Sequence, residues 1–134
     1  MKIIVCLEEN NGISFNGRRL SADRMLCHRI QQITKDSKLW LHPRSQQLFD
    51  LTCAHICVDT DYCSKAQIGE YVFFENSEVN MFASSAEEIL VFRWNRRYPF
   101  DMQFSQVYLQ GRELVFQEDF PGNSHEKITT EVYR

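Results

Sequence analysis

No stretch of the 134-residue chain approaches the roughly 18 consecutive apolar residues that a membrane-spanning helix needs. The opening run Met1-Lys2-Ile3-Ile4-Val5-Cys6-Leu7 stops at Glu8-Glu9. It is too short for a signal-peptide core and has no cleavage site, so it is expected to be a first buried strand. The chain also lacks the basic excess on which broad phosphate-backbone binding depends. Its net charge is −3, and nucleic acid is an unlikely partner. An even, regularly spaced cysteine set is missing too. The five cysteines, Cys6, Cys27, Cys53, Cys57 and Cys63, are odd in number, which argues against a disulfide framework and for reduced thiols in the cytoplasm. Repeats, linkers and low-complexity stretches are absent, so residues 1–134 are expected to form one domain. With 43% hydrophobic residues and ten Phe, the chain has enough apolar volume for one core.

The apolar patterning points to an α/β fold. Residues 2–7, 71–74 and 89–94 are apolar on both faces, as buried strands of a sheet covered on both sides are. Asn10-Asn11-Gly12 breaks the first strand, and a polar, basic loop follows over residues 14–20. Ser21 reads as an N-cap and Asp23 as a first-turn carboxylate. Ala22, Met25, Leu26, Ile30 and Ile33 then recur at helical spacing, predicting a helix over 22–34. Short strands are expected at 39–41 and 55–58, a second helix near 44–50 behind Pro43, irregular structure over 59–69, and a short helix near 78–84. Leu114-Val115-Phe116 and residues 126–134 read as a closing hairpin turned by Pro121-Gly122-Asn123-Ser124. The β-branched content of 126–134 favours a strand, and the rival reading is a short helix pairing Ile128 with Val132.

The order strand, Asn11-Gly12-Ile13, Leu20-Ser21-Ala22-Asp23, short strand, helix resembles the N-terminal half of dihydrofolate reductase, whose first helix opens on a Leu-Pro-Ala-Asp type segment. Residues 86–92 followed by Tyr98-Pro99-Phe100-Asp101, and Asn123-Ser124-His125 before an alternating strand, resemble the C-terminal half. The resemblance implies a shortened, single-domain mixed sheet with flanking helices, its first strand central and its last antiparallel. It places Asp23 on the carboxylate that anchors the family's pterin ring, and Ser45 on the hydroxyl residue opening a cofactor-phosphate-binding helix. Where the family carries a Gly-Gly pair for the cofactor pyrophosphate, this chain has Glu75-Asn76-Ser77. A side chain there would crowd the backbone approach and Glu75 would repel phosphate. The resemblance therefore implies a degenerate cofactor site, and no cofactor is assigned. The sequence is also similar to a group of small bacterial proteins, sharing the Asn-Gly to Asp-Arg run of residues 11–24 and the ending Ser124-His125-Glu126-Lys127-Ile128. Some of that group carry a ribonuclease Z label. Such a zinc-dependent nuclease needs a His-x-His-x-Asp-His cluster, which His28, His42, His55 and His125 do not form.

The candidate ligand-binding residues are Asp23, Arg18, Arg19, Asn16 and Ser45. Arg18, Arg19 and Arg24 are candidates for an anion-binding cluster, against the plainer reading of a solvated loop face. Trp94-Asn95-Arg96-Arg97-Tyr98 mixes aromatics and bases that could clamp a nucleotide, or is the end of a buried strand. Cys53, His55 and Cys57 share a strand face but have poor bite for a metal, and no metal is assigned. A triad of Ser124, His125 and Glu126 is rejected because neighbours on a strand point to opposite faces. The expected function is a dihydrofolate-reductase-like domain with a degenerate cofactor site that binds a small planar or phosphorylated ligand. The alternatives are an active NADPH-dependent reductase, or a nucleic-acid-processing protein using its arginines. Asp23→Asn is expected to weaken ligand binding by about 2 kcal/mol and to change stability by less than about 1 kcal/mol, the position being taken as outside the core.

Overall fold

The computed structural model describes residues 1–134. In chain order the elements are β1 (Lys2–Leu7), β2 (Gly12–Phe15), β3 (Arg18–Arg19), α1 (Arg24–Thr34), β4 (Leu39–Leu41), β5 (Ile56–Val58), α2 (Tyr62–Lys65), β6 (Tyr71–Phe74), α3 (Val79–Phe82), β7 (Glu88–Arg93), β8 (Met102–Gln103), β9 (Leu114–Phe120) and β10 (Ile128–Tyr133). Short 3₁₀ turns lie at Pro43–Leu48, Ala83–Ser85 and Gln106–Tyr108.

Seven strands form one mixed sheet in the order β5-β4-β6-β1-β7-β10-β9. β1 lies at its centre, parallel to β6 on one side and to β7 on the other. β10 runs antiparallel to both β7 and β9. The period-2 alternation of strands sorts the apolar residues into two layers. Ile3, Val5, Val72, Phe74, Ile89 and Val91 pack on one face, against Tyr62, Val79 and Phe104. Ile4, Phe73, Leu90, Leu39 and Leu41 pack on the other, against Leu26 and Ile30 of α1. Ile3, Ile4, Leu7, Leu26, Ile30 and Ile89 are among the largest fully buried side chains, and burial of each contributes about 1.5–3 kcal/mol. The sheet runs apolar on both faces because helices and loops cover both. No helix is long and apolar enough to cross a membrane.

Several local expectations change. The polar stretch after β1 is a hairpin: Ser14 pairs with Arg19 and Phe15 with Arg18. Asn16 and Gly17 are therefore its two turn residues, at φ 53° and 72°, the backbone a two-residue hairpin requires. Helix α1 begins at Arg24 rather than 22, because Asp23 is extended (φ −146°, ψ 123°) and is itself the N-cap. The expected helix at 44–50 is a 3₁₀ turn over 43–48, capped by His42 and ended by extended Phe49. The 59–69 stretch contains α2, where the Asp61 carbonyl accepts from both Ser64 and Lys65. β9 runs four residues past Phe116, and residues 128–133 are a strand, not a helix.

Candidate functional site

The C-terminal ends of the parallel strands β4, β6 and β1 open toward the β2–β3 hairpin, the position at which open α/β sheets take their ligands. Two clefts meet there. The first is a narrow cleft of about 20 Å³ and is mainly apolar, with Leu20, Leu26, Ile30, Leu48, Phe73 and Trp94 among its walls. The second is roomier, about 110 Å³, and is mainly polar, with Ser14, His42, Arg44 and Ser45 among its walls. Arg19, Phe73 and Glu75 belong to both.

The boundary between the clefts is an ion pair. Arg19 Nε donates to Glu75 Oε2 at 2.7 Å and its Nη2 to Oε1 at 3.0 Å. This two-point contact matches the planar fork of the guanidinium to the carboxylate. The same Nη2 also donates to the Arg44 carbonyl at 3.1 Å. Ser45 Oγ donates to Glu75 Oε1 at 2.6 Å. The hydrogen bond to Glu75 raises the affinity of Arg19 for its proton against the opposing effect of burial. The hairpin positions Arg19 for this contact, and β6 delivers Glu75 directly after its last apolar residue, Phe74.

A second hub lies at the start of α1. Asp23 Oδ1 accepts from the Met25 and Leu26 N–H groups at 3.0 and 3.2 Å, the usual N-cap bonds. The carboxylate also accepts from the Asn123 N–H at 2.9 Å, the Ser124 N–H at 2.8 Å and His125 Nδ1 at 3.1 Å. Burial alone would raise its pKa, but these hydrogen bonds from Asn123, His125, Ser124 and Leu26 outweigh it and hold the carboxyl well below the usual carboxylate range. Gly122 sits so close that a Cβ there would lie 2.7 Å from Asp23 Oδ2. His125 stacks on Trp94 with ring centroids 4.6 Å apart. Its Nε2 meets Tyr98 Oη at 2.8 Å and Ser21 Oγ at 3.0 Å.

Two thiols, half-buried Cys6 and buried Cys27, complete the apolar cleft. Desolvation pushes Cys6 well up, and it pushes Cys27 up to about 11, with the charges of Glu75 and Asp23 adding to the shift. Both are neutral, non-nucleophilic lining groups near pH 7.

Of the residues singled out from sequence, Asp23 and Arg19 meet in the apolar cleft, and Arg19 and Ser45 meet in the polar one. Arg18 and Asn16 are exposed and line neither cleft; Asn16 instead donates its N–H to Asp101 Oδ2 at 3.0 Å. Arg24 faces solvent near Asn123, and Arg97 pairs with Glu9 on the surface. Asp23 is 2% exposed, which corrects the expectation that it lies outside the core. Ser124 and His125 precede β10, so they are not strand neighbours pointing to opposite faces, and both reach Asp23. The Asp23–His125 link, Glu75 as the partner of Arg19, and the contact of Tyr98 with His125 are not visible in the sequence. Their separations of 102, 56 and 27 residues leave no local pattern.

No family model and no curated protein sequence matches the chain. Among solved structures, a dihydrofolate reductase from Enterococcus faecalis, complexed with NADP(H) and RAB-propyl, superposes with a TM-score of 0.71 over 99% of this chain and 94% of that one, at 12% identity. The chain has a dihydrofolate-reductase-like fold. At that identity the likeness concerns the fold alone. The grouping with ribonuclease-Z-labelled proteins finds no support in the comparisons.

Proposed function

We propose that this dihydrofolate-reductase-like domain binds a small planar ligand across the two clefts and has a degenerate nicotinamide cofactor site. The reading is carried by the three hydrogen bonds that Glu75 accepts from Arg19 and Ser45. Ser45 occupies the position where the family resemblance puts a phosphate-binding hydroxyl, and here that hydroxyl is already bound to a carboxylate. Arg19, whose side chain lines the same cleft, is neutralised by the same carboxylate. A phosphate entering between them would face Glu75 at short range and displace two charge-assisted contacts, each contributing about 1.5–3 kcal/mol. The residues present do not fit NADPH, although the Enterococcus protein is complexed with NADP(H).

A planar, uncharged ring fits better. The apolar cleft offers Leu26, Leu48 and Phe73 to its faces. At the polar end, the Ser14 hydroxyl is buried, unpartnered and part of the cleft wall. Buried hydroxyls without partners are rare in folded chains, and rotation of this one into the cleft would give it a ring nitrogen or carbonyl as partner. A phosphorylated ligand would have to use Arg44 and His42 at the outer edge of the polar cleft. Thermal shift against pterins, nucleosides and nicotinamide cofactors tests the reading, since a ligand bound only by the folded state raises the midpoint by mass action. A planar heterocycle should stabilise the protein, and Ser14→Ala should weaken the effect. Saturable micromolar NADPH binding by calorimetry would refute the degenerate site.

A further inference from the structure

Three side chains at the edge of the apolar cleft have the relative arrangement of an acyl-transfer triad. Ser21 Oγ lies 3.0 Å from His125 Nε2, and His125 Nδ1 lies 3.1 Å from Asp23 Oδ2. An ionised carboxylate can only accept, so in the neutral ring Nδ1 carries the hydrogen and Nε2 presents its lone pair to the serine hydroxyl. The carboxylate is fixed by four backbone N–H groups, those of Met25, Leu26, Asn123 and Ser124. The imidazole is fixed by stacking on Trp94, whose ring face favours the imidazolium formed when Nε2 takes a proton. Asp23 and His125 are buried, at 2% and 4% exposure, while Ser21 is part-exposed and lines the cleft. A nucleophile open to the cleft and a base and orienter shielded behind it are what the chemistry requires.

We propose that Ser21, His125 and Asp23 act on small apolar acyl esters, with Ser21 as nucleophile, His125 as general base and Asp23 as the group that orients it. The Ser21 oxygen attacks the ester carbonyl carbon and its proton passes to His125 Nε2. The tetrahedral adduct breaks its bond to the alkoxide, which takes the proton from His125 and leaves as the alcohol. Water then attacks the acyl-serine by the same proton route, releasing the carboxylic acid and restoring Ser21. The backbone N–H groups of Ser21 and Ala22 bond to no other group of the chain, so they are available to the oxyanion beside the nucleophile. Leu20, Ala22 and Leu26 would receive the acyl chain. Tyr98 Oη lies 2.8 Å from Nε2, closer than Ser21 Oγ, and competes with Ser21 for its lone pair. The phenol thus sets how much of the serine is activated.

The test is covalent labelling with an alkyl fluorophosphonate at pH 8, read by intact mass and peptide mapping, beside hydrolysis of p-nitrophenyl butyrate. The wild-type protein should take one adduct, mapped to Ser21. Ser21→Ala should take none and should lose at least 10-fold in ester hydrolysis. Tyr98→Phe should label at least as fast as wild type. Mapping the wild-type adduct localises the nucleophile even if a variant fails to fold. An unlabelled folded protein, an adduct at Tyr98 or Ser124, or equal hydrolysis by wild type and Ser21→Ala overturns the proposal. It does not depend on the planar-ligand reading: labelling can succeed where no heterocycle binds, and a bound heterocycle says nothing about Ser21.

Discussion

Replacing Asp23 by Asn separates two roles that the carboxylate combines. Asn is about as good an N-cap as Asp, and its carbonyl oxygen can keep the bonds from Met25 and Leu26. If capping were all that Asp23 does, the change would cost only a few tenths of a kcal/mol. The second oxygen, however, accepts from the Asn123 and Ser124 N–H groups and from His125 Nδ1. The Asn amide would point a donor at these three donors in a site that is 2% exposed. Charge-assisted hydrogen bonds contribute about 1.5–3 kcal/mol each. His125 can recover part of the loss by moving its proton to Nε2, so the expected destabilisation is about 3 kcal/mol. In urea at pH 7.5, with a slope of about 2 kcal/mol per M, the midpoint should fall by about 1.5 M. The pH dependence has a definite sign. The folded carboxyl titrates below its unfolded value of about 3.9, so its stabilisation is complete above about pH 5 and is lost as pH falls toward the depressed folded value. The gap between wild type and variant should therefore narrow in acid. A midpoint shift of less than about 0.5 M at pH 7.5, or a gap that widens in acid, would mean that Asp23 is a helix cap and nothing more.

Three other outcomes are expected. Glu75→Gln removes the charge that holds Arg19 and Ser45, so calorimetry should find NADPH or inorganic phosphate binding at least 10-fold tighter than in wild type; unchanged affinity would mean that Glu75 is not the obstacle. Gly122→Ala places a methyl group 2.7 Å from both Asp23 Oδ2 and the His125 carbonyl, and thermal denaturation should show a loss of about 2 kcal/mol. With its pKa at about 11, Cys27 should react with iodoacetamide at pH 7.5 far more slowly than a free thiol in urea-unfolded protein; comparable rates would mean that the apolar cleft opens readily.

The parts of the fold legible in the sequence are those where the signal is local. Ile3-Ile4-Val5, Val72-Phe73-Phe74 and Ile89-Leu90-Val91 announce strands buried on both faces, and the structure places all three side by side at the sheet centre. Leu26 and Ile30 mark the inner face of α1. The Asn16-Gly17 hairpin was equally local; its dipeptide is a strong turn signal, masked by the basic residues around it. The site was legible only in fragments. Arg19, Asp23 and Ser45 stand out by type and position, but their partners Glu75 and His125 come from other elements 30 to 102 residues away. Charge alone marks Glu75 as a repellent of phosphate, and only the folded arrangement gives it Arg19 and Ser45 to hold. His125 was set aside on a strand rule that does not apply to a turn.

The tie between Asp23 and residues 123–125 has a consequence for how the chain is made. At 5–20 residues per second, a ribosome needs several seconds to pass from the first helix to the segment that completes its cap. Until residue 125 has emerged, the Asp23 carboxylate has only its two helix contacts. β1 likewise waits for β6, some 70 residues later, before it has a sheet neighbour. A nascent chain stalled before residue 120 would lack Phe120 and Ile128 from the layer under α1, with β10 missing from the flank of β7. The sheet is thus completed only once the segment that brings His125 to Asp23 has emerged.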